Sequence, residues 1–131
     1  MRKFLFLSFL LLLSLTSLAQ SAQPAPQSQP AKQAFLIRLL PPRPTFVKDM
    51  TPAEQKVMQE HFAYWQQILP SGKLIVGGPV LNPDAPWGLL IVEVADKAEA
   101  RELANGDPSV KGGVNKVDVQ PMRVALLRGS R

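Results

Sequence analysis

Residues 87–108 decide the fold: Trp87-Gly-Leu-Leu-Ile-Val-Glu-Val94, then Ala95-Asp96-Lys-Ala-Glu99-Ala-Arg-Glu-Leu-Ala-Asn105, then Gly106-Asp107-Pro108. The first eight residues are apolar on both alternating faces. That pattern suits a strand in the middle of a sheet, covered on both sides. Asp96 with Glu99 three positions later is a capping box, so a helix is expected over 97–105. Gly106-Asp107-Pro108-Ser109 breaks it, and a short helical turn can follow up to Gly112-Gly113. The last strand is then expected over 116–127, with Pro121 placing it at an edge or a bulge.

Working back from Trp87, residues 81–86 are a turn-rich loop and 73–76 a short strand that ends at Gly77-Gly78-Pro79. Ahead of it, Thr51-Pro52-Ala53-Glu54 is a second capping box with proline at the first helical position. The helix it opens reaches about Leu69 and stops before Pro70-Ser71-Gly72. Met58, Phe62, Trp65 and Leu69 recur at helical spacing, with Val57, His61, Tyr64 and Ile68 beside them, which makes a wide apolar face. Pro41, Pro42 and Pro44 make a stiff loop. Residues 34–40 are an apolar run suited to a buried strand. The order is β-α-β-β-α-β, so the fold class expected is α+β. A ferredoxin-like unit has an antiparallel four-stranded sheet with the helices on one face. The strand over 87–94 then leaves apolar groups on the uncovered face. A second copy packed face to face would cover them, so a homodimer is expected.

The ends carry other information. Arg2 and Lys3 precede 4–15, where ten of twelve residues are apolar, and Ser17-Leu18-Ala19 offers a cleavage site. Residues 1–19 thus read as a signal peptide, too short in its apolar part to span a bilayer comfortably, and the product as periplasmic or secreted. No membrane association is expected after cleavage. Residues 20–32, rich in Gln, Pro, Ser and Ala, read as a disordered linker. The folded domain is expected over 33–128.

Composition excludes several function classes. The 131 residues hold no cysteine and one histidine. No disulfide, cysteine nucleophile or multi-histidine metal site can be built from one chain. The formal charge of +5 includes Arg2 and Lys3. What remains is too mildly basic to argue for nucleic acid, and the basic C-terminus reads as a solvated surface. A single histidine could serve as one axial haem ligand, but no other ligand accompanies it, and no cofactor is assigned.

The ordered set His61, Tyr64, Trp65, Leu69, Gly72, Gly78-Pro79, Gly88, Asp107-Pro108, Gly112 or Gly113, and Pro121 resembles the YCII-related (YciI-like) family over roughly 34–127. The resemblance implies a dimeric α+β barrel of ferredoxin-like units, with a histidine and an aspartate in a cleft as the site. Carried over residue by residue, these are His61 and Asp107. One branch of the family performs elimination chemistry on a chlorinated hydroxylated aromatic. A signal peptide, a linker and a proline-rich loop over 41–49 set this chain apart.

His61 is the one side chain that ordinarily titrates near neutral pH, and a carboxylate partner would make it a general acid or base. Equally, His61 could be a satisfied core residue and Asp107 an Asx-turn into Pro108. Tyr64, Trp65 and Trp87 could line an aromatic pocket or belong to the core. Gly78 and Pro79 could let a ligand approach the backbone or close a tight turn. Arg38 could hold an anionic group or face outward. Two functions stay open. One is a small enzyme transferring protons without a metal through His61 and Asp107. The other is a non-catalytic ligand- or partner-binding module of the cell envelope.

Overall fold

The structure is a computed structural model that describes residues 31–129. The expected signal peptide and nearly all of the expected linker lie outside the described residues. The elements are β1 (Gln33–Leu40), α1 (Phe46–Asp49), α2 (Pro52–Ile68), a 3-10 turn (Leu69–Ser71), β2 (Leu74–Val80), β3 (Trp87–Val94), α3 (Lys97–Gly106), α4 (Pro108–Lys111) and β4 (Lys116–Met122). The strands form one sheet in the order β2-β3-β1-β4, with every neighbour antiparallel. This is the expected ferredoxin-like α+β arrangement.

The two central strands set the core. Phe35, Ile37 and Leu39 of β1 are buried, as are Leu90, Val92 and Val94 of β3. They share one face because side chains alternate along a strand, and the register opposes Phe35 to Val92 and Ile37 to Leu90. Trp65 of α2 and Ala100 and Ala104 of α3 close that face. The alanines bring the α3 backbone close to the sheet. On the other face Leu36, Arg38, Leu40, Leu89 and Ile91 are only partly buried.

Both helix starts follow from their caps. Thr51 Oγ1 accepts from Glu54 N at 3.2 Å, and Glu54 Oε2 accepts from Thr51 N at 2.8 Å. At α3 the expected box is only half made. Asp96 accepts from Glu99 N, but Glu99 accepts from Ala95 N, one residue early, and pairs with Lys73 at 2.8 Å. Lys73 draws the carboxylate toward the start of β2.

Three boundaries depart from expectation. Gly77-Gly78-Pro79 does not end β2 but lies within it, opposite Leu90, Leu89 and Gly88. An edge strand tolerates this proline, whose missing N–H can face away from the ladder. The proline-rich loop contains α1, held by Arg43. Its guanidinium donates to Asp49 Oδ1 at 2.7 Å and to Glu54 Oε1 and Oε2 at 2.8 and 2.9 Å. The last strand stops at Met122, well short of 127, and leaves Leu126 and Leu127 exposed. Pro121 sits on the edge strand β4, as expected.

Candidate functional site

The site grows from the break between α3 and α4. Asp107 is both the last cap of α3 and the N-cap of α4, with Pro108 at the first position of the new helix. Its Oδ1 accepts from Ser109 N at 2.8 Å, an Asx-turn that fixes the carboxylate. Its Oδ2 accepts from Trp65 Nε1 at 2.8 Å and lies 2.7 Å from His61 Nδ1. His61 and Trp65 are four residues apart on α2, so they stack on one helical face and reach the same oxygen. The turn role and the pair role that the sequence left as alternatives are both realised, one on each oxygen.

Asp107 is fully buried. Burial alone would push its carboxyl upward, but hydrogen bonds from His61 and then Trp65 outweigh this, together with the His61 charge and the Ser109 amide. The group is held below the ordinary carboxylate range. A buried carboxylate that stays ionised fixes the histidine tautomer. The tautomer that suits such a neighbour has its proton on Nδ1, which would leave Nε2 as the basic nitrogen. The histidine side chain keeps 18% of its surface accessible.

His61 forms part of the wall of a cleft of about 530 Å³. Met58, Phe62, Trp65 and Leu69 of α2 line one side, and Phe46, Val47 and Met50 around α1 close an end. The sheet side consists of Leu39, Leu74, Leu90, the run Gly77-Gly78-Pro79, and Pro86-Trp87-Gly88-Leu89. Two glycines keep this floor low. A Cβ at Gly77 would come within 2.7 Å of Leu90 Cδ2, and one at Gly88 within 3.1 Å of Leu39 Cβ. Besides the indoles of Trp65 and Trp87, the polar lining side chains are His61, Gln66 and Asn115, and among the described residues no Asp, Glu, Lys or Arg lines the cleft.

The structure brings together His61, Asp107, Trp65, Gly78, Pro79 and Trp87. It does not bring in Tyr64, which is a correction. One position round the helix from Trp65, Tyr64 turns toward α3. Its hydroxyl donates to Leu103 O at 2.8 Å, and its ring packs on Gly106. Burial, then the Asp107 and Glu102 charges, pushes this hydroxyl up. Arg38 is outside the cleft lining, on the uncovered sheet face. Its guanidinium lies 5.2 Å from the centre of the Trp87 ring, and its Nε is buried with no partner among the described residues. Asn115 was not singled out from the sequence. A lone asparagine before a strand gives no spacing signal, and only the fold carries it to the cleft.

These features define a class: a small antiparallel α+β domain with an aspartate-held histidine on the wall of an apolar cleft. The sequence profile of the YCII-related domain matches residues 34–123, and the chain belongs to that family. Among solved structures it is similar to 5-chloro-2-hydroxyhydroquinone dehydrochlorinase from Burkholderia phenoliruptrix AC1100, in complex with 2,5-dihydroxybenzoquinone. The identity is 24%, the match covers 69% of this chain and 93% of that chain, and the TM-score is 0.54. That likeness establishes a shared fold. No curated protein matches the chain.

Proposed function

We propose that this YCII-related protein is a small enzyme that moves a proton on a small molecule held in the cleft. His61 is the acid or base, and Asp107 orients it. The observation that carries this reading is the 2.7 Å contact between His61 Nδ1 and a fully buried Asp107, with the imidazole on the cleft wall. Nε2 takes a proton from an acidic O–H or C–H of the ligand. The imidazolium that forms sits against a carboxylate already ionised, so charge separation costs less than it would beside a neutral partner. Returning the proton to another atom of the ligand completes an isomerisation. Losing a leaving group after the proton is taken completes an elimination. The similarity to a dehydrochlorinase supports chemistry of this kind.

The test is turnover. Small hydroxylated aromatic molecules are incubated with the protein in heavy water, and proton NMR follows exchange or conversion. His61→Ala should lower the rate by about a hundred- to ten-thousand-fold, the usual contribution of a positioned acid or base. Unchanged turnover in that variant would leave the cleft as a binding site and favour a non-catalytic envelope module.

The working unit is a homodimer, with two sheets face to face. Support comes from Leu36, Leu89 and Ile91 on a face that no helix among the described residues covers, and from Arg38 Nε among them, which has no partner among the described residues. Sedimentation at micromolar concentration should give twice the chain mass, and a monomer there contradicts the dimer. Residues 1–19 direct export and are removed, so the protein recovered from the periplasm or medium should begin at Gln20. No helix among the described residues is long and apolar enough to cross a membrane.

A further inference from the structure

Asn115 is almost fully buried, with 6% of its surface exposed, and its side chain reaches the wall of the cleft that holds His61. The loop that carries it is tied back to α4, since Val114 N and Asn115 N both donate to Ser109 O at 2.9 Å. The side-chain amide is tied as well. Asn115 Nδ2 donates to Ser109 Oγ at 3.0 Å and faces Met58 Sδ at 3.7 Å. Both hydrogens of the amide nitrogen therefore point at acceptors, a weak one in the case of the thioether. The amide oxygen is the polar atom left over, and it takes no hydrogen bond from the described residues. It is also not sealed from solvent, because among the described residues a buried side-chain polar atom without a partner is found only at Arg38 Nε. A buried amide with one half fixed and the other open to an apolar cleft is an acceptor awaiting a donor.

From this placement we infer that Asn115 is a second polar anchor of the cleft, which accepts a hydrogen bond from a hydroxyl or N–H of the ligand and so sets which ligand atom meets His61. The inference rests on the proposed proton transfer at His61 and adds a specificity element to it. The two anchors share one support. Ser109 N donates to Asp107 Oδ1, and Ser109 Oγ accepts from Asn115, so one turn fixes both the carboxylate behind His61 and the amide. Among the described residues no Asp, Glu, Lys or Arg is in the lining, so its few polar groups decide orientation. A ligand with one hydroxyl can satisfy only His61 or only Asn115. A ligand with two donors at the right separation satisfies both. A site built to hydrogen-bond a hydroxyl also rejects analogues lacking it, since the buried acceptor is then left unpaired.

Calorimetric titration of the full folded protein with phenol, catechol, resorcinol and hydroquinone tests this. At least one dihydroxybenzene should bind about tenfold more tightly than phenol, the worth of one added hydrogen bond. Asn115→Leu should remove that preference, with a smaller loss of phenol binding than of diol binding and a lowered thermal midpoint, since Ser109 Oγ loses its donor. Asn115→Ser, a smaller polar change, serves if the leucine variant does not fold, and should also lose the preference. Equal binding of all four compounds overturns the inference. So does a preference that survives in both variants, or an equal loss for phenol and the diols, which marks a scaffold residue. The reading of His61 fails separately, when His61→Gln changes neither binding of these compounds nor turnover.

Discussion

Two acid–base pairs in this chain have the same contact distance and opposite character. Asp107 meets His61 at 2.7 Å with the carboxylate fully buried, and Arg43 meets Asp49 at 2.7 Å with both side chains substantially exposed. The two carboxylates that Arg43 meets, Asp49 and Glu54, are both held below the ordinary range. Glu54 is held down to about 2, first by the Arg43 guanidinium and then by the Thr51 amide. Such a cluster has no proton to give near neutral pH, so it can only fasten α1 to the start of α2. The Asp107 pair contains an imidazole and stands on a cleft, and the second ring nitrogen takes no partner among the described residues. Distance alone does not distinguish a clamp from a candidate site; burial and a titratable partner do.

The largest effect that could break this contrast is on stability. Asp107→Ala leaves Trp65 Nε1, the His61 imidazole and the Ser109 amide without their acceptor, and should cost about 3–5 kcal/mol in urea unfolding. A cost near that of a surface substitution would mean the buried pair is no more than a second clamp. Trp65→Phe keeps the ring bulk and removes one donor to the same oxygen. It should cost about 1.5–3 kcal/mol, the range for a hydrogen bond to a charged group.

Acidification comes next in size. The folded state holds Asp107 below the ordinary carboxylate value. The unfolded state therefore binds the proton first, and stability rises with pH through this range. The contribution is complete above about pH 4, the unfolded carboxylate value, and is lost as pH falls through the folded value. Urea midpoints measured from about pH 5 downward should fall more steeply for the wild type than for Asp107→Asn. Equal slopes would separate Asp107 from the acid response. The smallest effect belongs to the exposed cluster. Arg43→Ala should change the unfolding midpoint less than any Asp107 variant, and the difference should shrink further in about 1 M salt.

The contrast also explains what the sequence could and could not convey. The central strands were legible because Phe35 to Leu39 and Leu90 to Val94 are apolar except for Arg38 and Glu93, and both of these fall on the face opposite the core. The helix starts were legible because Thr51 and Asp96 carry acidic residues three positions on. His61 and Asp107 were legible as a candidate pair through the family resemblance, since no local pattern links residues 46 positions apart. Tyr64 and Trp65 were not separable. Both lie on a wide apolar face, and one helical step sends the first to α3 and the second to Asp107. Gly77-Gly78-Pro79 has the composition of a turn. It stays in β2 because pairing with β3 and a shift of register between Leu74 and Val76 carry the strand past it. The helix α1 was hidden by its prolines, and its anchor, Arg43, finds Glu54 eleven residues away.

The central claim is that Asp107 holds His61 with its basic nitrogen turned to the cleft. Nitrogen-15 NMR of the single histidine, above the pH at which it is neutral, tests this directly. The chain has one histidine, so in protein without a histidine tag the signals need no assignment. A protonated Nδ1 and an unprotonated Nε2, with this preference weakened or reversed in Asp107→Asn, is the predicted result. A neutral imidazole protonated at Nε2 in the wild type would contradict it, since the nitrogen facing the cleft could then take no proton.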